Sequence, residues 1–200
     1  MYIYNIMFKN FINNLLIRKV FTFEGDRILM LNKVPFVIFP ARSMAKFIQI
    51  VGDEFGDDYL YKLGYDAGLM VGKDFVNDLG WFSIGVAEKV KMIFKMFEVM
   101  GFGNMDIRVL DSTNDKLLYK NTMHPVINHA IKLYGKKEKS CIFYRGIESA
   151  HWNYELGVEG CELIETQCMK DGAKFCEWSH NVLKKAKNKK RLTGYFEIKK

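Results

Sequence analysis

No hydrophobic run in this chain is long enough to cross a bilayer. The densest apolar stretch is Phe36 to Phe39, against roughly 20 residues for a membrane helix. Residues 1–20 are amphiphilic, but Asn5, Lys9, Asn10, Asn13 and Asn14 break every apolar core before it reaches signal-peptide length, so the expectation is a soluble, cytoplasmic protein. No Gly-x-Gly-x-x-Gly turn follows a strand, no phosphate-binding loop is present and no cysteine spacing suits an iron–sulfur cluster. The usual marks of hydride or electron transfer are therefore missing. Cysteine is scarce as well: the four residues Cys141, Cys161, Cys168 and Cys176 all lie in the last third of the chain. In a reducing cytosol such a cluster is a metal site or a set of buried thiols, not a disulfide framework.

A formal charge of +7 suggests a nucleic-acid partner until it is placed. Residues 1–180 hold 22 basic and 22 acidic side chains, while residues 181–200 hold 8 against 1. The body is neutral and the excess sits in a tail containing Lys184, Lys185, Lys187, Lys189, Lys190 and Arg191. That run is either a solvated basic segment or a contact for nucleic acid or anionic lipid; no interleaved aromatics or base-reading motif favours the second. Tyr195 to Ile198 follows it as a candidate edge strand. The expected organisation is an extension over 1–18, one domain over 19–180 and a basic tail over 181–200, since the hydrophobic content of 49% suffices for one sizeable core.

Within the domain, Lys19–Phe23 and Arg27–Leu31 flank the polar turn Glu24-Gly25-Asp26 and read as a hairpin. A third strand, Val34–Phe39, ends at Pro40, which cannot continue a central ladder. Ser43 is a plausible N-cap for a helix whose apolar stripe is Met44, Phe47, Ile48, Val51 and Phe55. A second helix starts near Asp57 or Asp58 and carries Gly64, Gly68 and Gly72 on one face. Each glycine costs about 1 kcal/mol against alanine there, so either another helix or a ligand uses the space. A third helix is expected from Ser83 to Met100, stopped by Gly101 or Gly103. A hairpin over Met105–Leu110 and Lys116–Tyr119 follows, then an irregular stretch to Pro125, then a helix from Ser140 to Leu156. Short strands at Cys161–Thr166 and Lys174–Trp178 surround the turn Asp171-Gly172. Helices interleaved with antiparallel hairpins define an α+β fold, an antiparallel sheet packed against helices.

Glu165, Cys168 and Cys176, on facing strand ends across one turn, are able to converge on a cation. The step between the two cysteines is wider than in zinc fingers, so spacing alone leaves metal ligands and small buried hydrophobes as equal alternatives. The run Cys141-Ile142-Phe143-Tyr144-Arg145-Gly146, the glycines Gly157 and Gly160, and Glu165-Thr166-Gln167-Cys168 leading through Gly172 to Cys176 resemble the carboxy-terminal signature of the 4-vinyl reductase family. The match is specific over residues 139–178 and looser over 24–80. This resemblance implies a zinc held by Cys141, Glu165, Cys168 and Cys176. It also implies a fold related to nitric-oxide-sensing haem domains and to trafficking-complex subunits, with an internal apolar cavity. Cys161 departs from the pattern and is placed to compete for the metal. His151 lies about 15 Å along the helix from Cys141 and cannot share that metal, so His151 and Trp152 are packing or pocket residues. His124 and His129 fit no ligand pair and receive no role.

Four protein ligands leave no open position for a substrate, so the zinc is expected to be structural. Three functions compete. The first is a binding or sensing domain for a small apolar or aromatic ligand, with Gly64, Gly68, His151 and Trp152 as candidate pocket residues. A reductase acting on a vinyl group is the second, disfavoured by the missing donor motifs. A scaffold or partner-binding subunit, such as a homodimer, is the third. No catalytic residue is assigned.

Overall fold

A computed structural model describes residues 21–25, 27–30, 34–79, 94–95, 97–98, 100–111, 116–156, 158–159, 162–181 and 184–185. Strands β1 (Phe21–Glu24), β2 (Arg27–Met30) and β3 (Val34–Phe36) form an antiparallel meander. Gly25 turns the first hairpin at φ 61°, and Glu24 pairs with Arg27. The third strand stops at Phe36, three residues sooner than the sequence suggests. Val37, Ile38 and Phe39 lie outside it and are exposed, Val37 to 80%.

Helix α1 (Ala41–Phe55) begins before Ser43, because Pro40 takes the N-cap position in extended conformation and its carbonyl accepts from Met44 N at 3.0 Å. Its inner face is Ala45, Ile48, Gln49 and Gly52. Phe47 and Phe55 of the expected stripe point to solvent instead. Gln49 can be buried because its Nε2 donates to Lys137 O at 3.1 Å and to Asp53 Oδ1 at 3.0 Å.

Helix α2 (Asp57–Leu79) starts where the two aspartates predict, with acidic side chains at the positive end of the helix dipole. The stretch 80–93, most of the expected third helix, lies outside the described residues. Phe94 and Phe97 at its end are helical and buried, and Gly101 stops it at φ 85° with Phe102 N reaching back to Phe97 O at 2.8 Å.

Strands β4 (Asn104–Asp111) and β5 (Lys116–Thr122) form the second hairpin. Helix α3 (Pro125–Tyr134) follows, a helix absent from the sequence expectation. A 3-10 turn over Gly135–Lys137 leads to α4 (Ser140–Leu156). The short strand β6 (Val158–Glu159), β7 (Glu162–Gln167), a 3-10 turn at Met169–Asp171, β8 (Cys176–Asn181) and β9 (Lys184–Lys185) complete the described chain. The main sheet is antiparallel with order β4-β5-β8-β7, and β6 pairs with β9. The fold is α+β. The start of the lysine run is thus strand, while Tyr195 to Ile198 lies outside the described residues.

The core rests on α4, whose Phe143, Ile147 and Trp152 are buried between α2 and the sheet. The glycine face of α2 meets α4 and no ligand. A Cβ on Gly68 would strike the backbone of Ile147, 2.7 Å from its Cα, and one on Gly64 would strike the carbonyl of Phe143. Gly146 of α4 answers with its own missing side chain, where a Cβ would lie 2.9 Å from Tyr65 N. Two helices touching backbone to backbone account for the cost of those glycines. No described helix is long and apolar enough to cross a membrane.

Candidate metal centre and apolar cavity

Cys141 sits in the first turn of α4, Glu165 on β7, Cys168 just past the end of β7, and Cys176 at the first position of β8. The knuckle between the last two is built by short-range bonds. Asp171 N and Ala173 N donate to Cys168 O, Gly172 N donates to Met169 O, and Gly172 adopts the left-handed conformation at φ 96° that a side chain would resist. Met169 N points at Cys176 Sγ from 3.5 Å, adding a donor to the sulfur. Each thiol is buried and free.

The sulfur separations are 3.5 Å for Cys141–Cys168, 3.8 Å for Cys168–Cys176 and 4.0 Å for Cys141–Cys176. Disulfide sulfurs would be about 2.05 Å apart. Zinc–sulfur bonds of about 2.3 Å in tetrahedral geometry give sulfur–sulfur edges of about 3.8 Å. Glu165 completes the set, with all four ligand atoms within 4.8 Å of one another. Its Oε1 is buried without a hydrogen-bond partner among the described residues, an acceptor that a cation would satisfy. The group therefore fits a metal, and its sulfur-rich chemistry suits zinc.

Its electrostatics fit too. Burial, with Cys168 next to it, pushes the Glu165 carboxyl up to about 8. Hydrogen bonds with Cys141 and Cys168 pull the Cys176 thiol down to about 5, while those with Cys168 and Cys176 push Cys141 up. Without a cation the cluster cannot shed all its protons, so a metal must displace them on binding. Burial opposes the charge of Lys170, but Glu138, Cys168 and Cys141 outweigh it and hold the ammonium protonated. That cation partly offsets the excess negative charge of three thiolates and a carboxylate. Cys161 lies outside the described residues.

His151 and Trp152 are core residues, fully buried on α4. The His151 ring lies 5.1 Å from Phe97, and Trp152 meets Phe94 edge-on at 5.4 Å. Burial draws the His151 imidazole down to about 3 and raises Glu148, one turn earlier, to about 8. Neither His151 nor Trp152 borders the large cavity.

That cavity, about 1020 Å3, lies between the β1–β3 meander and the starts of α1 and α3. The meander contributes Phe21, Ile28 and Phe36; Val37 to Phe39 line its mouth, and Met44, Val126 and Tyr144 come from the helices. No charged side chain lines it among the described residues. Thr22 is committed to Leu29 O at 3.4 Å. His124, which received no role from the sequence, borders the cavity and caps α3 by accepting from Ile127 N through Nδ1 at 3.4 Å. Burial holds it neutral, down at about 3. Pro125 right after it is the one local signal that a helix starts there.

No family model and no curated protein matches the sequence. Solved structures do match in fold. The phenol-responsive sensory domain of the transcription activator PoxR, with phenol, has a TM-score of 0.66 at 11% identity, covering 86% of this chain and 88% of that one. A trafficking protein particle complex subunit 3 from Naegleria fowleri, covalently bound to palmitic acid, has 0.55 at 15%, covering 74% and 98%. A vinyl-4-reductase family protein from Methanocaldococcus jannaschii has 0.50 at 17%, covering 74% and 84%. The chain thus shares the fold that its carboxy-terminal motif suggests.

Proposed function

We propose that this chain is a binding domain for a small, uncharged, largely apolar molecule, with a structural zinc fastening its carboxy-terminal half. The cavity carries the reading. A volume of about 1020 Å3 is at the top of the range of small-molecule sites, and a lining without charge among the described residues favours a neutral occupant. Structures of the same fold hold phenol and palmitic acid, which makes an aromatic or acyl body a sensible first choice. Cys141, Glu165, Cys168 and Cys176 would hold the zinc, which crosslinks α4 to the β7–β8 knuckle and takes no part in ligand chemistry.

The test is uptake of the fluorescent probe N-phenyl-1-naphthylamine. Wild-type protein is expected to bind it with enhanced emission. Ala41→Phe, which projects a ring into the cavity from the first residue of α1, should abolish the signal while changing stability by less than about 1.5 kcal/mol. No uptake by wild type, or equal uptake by the variant, removes this reading. One observation favours a partner-binding role beside it: α1 exposes Phe47, Ile50 and Phe55, and the Phe55 ring lies tilted 5.0 Å from that of Tyr59, itself exposed.

A further inference from the structure

We infer that Glu138 is a positioning residue of the metal centre, a buried carboxylate that fixes Cys141 as a ligand by holding the first turn of α4. The inference rests on the zinc reading above.

The first turn of a helix leaves its N–H groups without intrahelical acceptors. In α4 all four are accounted for. Ile142 N and Phe143 N donate to Lys139 O at 3.1 and 3.3 Å. Ser140 N and Cys141 N donate to one atom, Glu138 Oε2, at 2.7 and 3.2 Å. The Cys141 amide, whose orientation sets where its Sγ points, is thus tied to a single side chain.

Glu138 is itself buried and held by its backbone and its chain neighbours. It is 2% exposed, and its own N–H closes the preceding 3-10 turn on Gly135 O at 3.3 Å. The turn is pinned to α1 by Gln49 Nε2, which donates to Lys137 O at 3.1 Å. At Gly52 the missing side chain makes room for Lys139, whose Cγ would be 3.0 Å from a Cβ there. A chain of direct contacts therefore runs from α1 through Glu138 to Cys141, and from Cys141 to Cys168 at 3.5 Å. Partners behind a metal's own ligands orient those ligands, and their loss typically costs about 10- to 100-fold in metal affinity.

The experiment uses full-length protein loaded with cobalt, whose ligand-field bands report ligand geometry, and with zinc, whose release to a chromogenic chelator is timed. Glu138→Ala should speed zinc release at least about tenfold and weaken or shift the cobalt bands. Glu138→Gln keeps a carbonyl oxygen for the two amides and should stay within about threefold of wild type with an unchanged spectrum. Asp57→Ala, which breaks the neighbouring Lys139–Asp57 ion pair on the same loop, serves as a control for general loosening and should leave both readouts as they are. Release from Glu138→Ala at the wild-type rate, or equal acceleration in Asp57→Ala, overturns the role of Glu138 alone. Failure of the wild type to bind either metal overturns the zinc reading and this inference with it.

Discussion

The thiol corner and the apolar cavity touch α4 three residues apart, at Cys141 and Tyr144, and they are built in opposite ways. At the corner, three sulfurs and a carboxylate converge within 4.8 Å, which leaves room for one cation and nothing larger. Four protein ligands around one cation would leave no open position for a substrate. The cavity is instead an open space that the meander and the helices border without filling, lined among the described residues by side chains with no charge. Such space loses dispersion contacts unless something occupies it. On the proposed reading, the closed site rich in ligands would serve stability and the open site poor in polar groups would serve binding.

Breaking the corner should have the largest effect. Cys168→Ser is expected to lose the metal together with the stability linked to it, about 4 kcal/mol or more for a ligand present at a thousand times its Kd. Cys161→Ser should retain both. Elemental analysis beside thermal melts separates them, and metal loss in the Cys161 variant alone would mean that the ligand set is misassigned.

Next comes the contact between α2 and α4, which carries both regions. Gly68→Leu would drive a side chain into the Ile147 backbone, which cannot rotate away, so a loss of about 3 kcal/mol is expected, the upper part of the overpacking range. Had the glycine face lined a pocket, the same change would have left stability nearly untouched. A denaturant midpoint equal to that of wild type would contradict the packing.

The third effect is read as a slope and is the smallest per unit of pH. Glu148, fully buried, has its carboxyl raised to about 8, so between about pH 4.5 and 8 the folded chain keeps a proton that the unfolded chain releases. Stability from this group is complete below the unfolded value and is lost as pH rises through the folded one, at about 1.4 kcal/mol per pH unit. Glu148→Gln should flatten the profile in that window. Parallel profiles for the two proteins would show that Glu148 ionises without penalty.

The corner was legible through the family resemblance of residues 139–178: the spacing of Glu165, Cys168 and Cys176 within one hairpin left metal ligands and buried thiols as equal alternatives, and Cys141 joined them only with the resemblance. Glu138 was not, because a glutamate three residues before a cysteine reads as a solvated charge until its burial and its two amide partners are seen. The cavity was illegible for a related reason. Phe36, Met44, Val126 and Tyr144 come from four separate segments, and each is as plausible in a solid core. The glycine face on α2 signals a close approach, but the sequence leaves open a ligand pocket at Gly64 and Gly68, and only the structure shows that a helix fills the space. Helix α3 escaped notice because it is one short element, although His124-Pro125 and the spacing of Val126, Ile127 and Ala130 encode it. On α1 the inner face is turned away from Phe47 and Phe55, since Gln49 finds hydrogen bonds inside that no polarity count anticipates.

Native mass spectrometry of freshly purified full-length chain tests the account most directly, since it reports metal, small molecule and oligomeric state in one spectrum. The account predicts one zinc per chain, retained after gentle washing, and an additional mass of a neutral organic molecule that Ala41→Phe loses while keeping its zinc. A chain carrying neither zinc nor organic mass after metal-replete expression, and taking up no apolar probe, would contradict it.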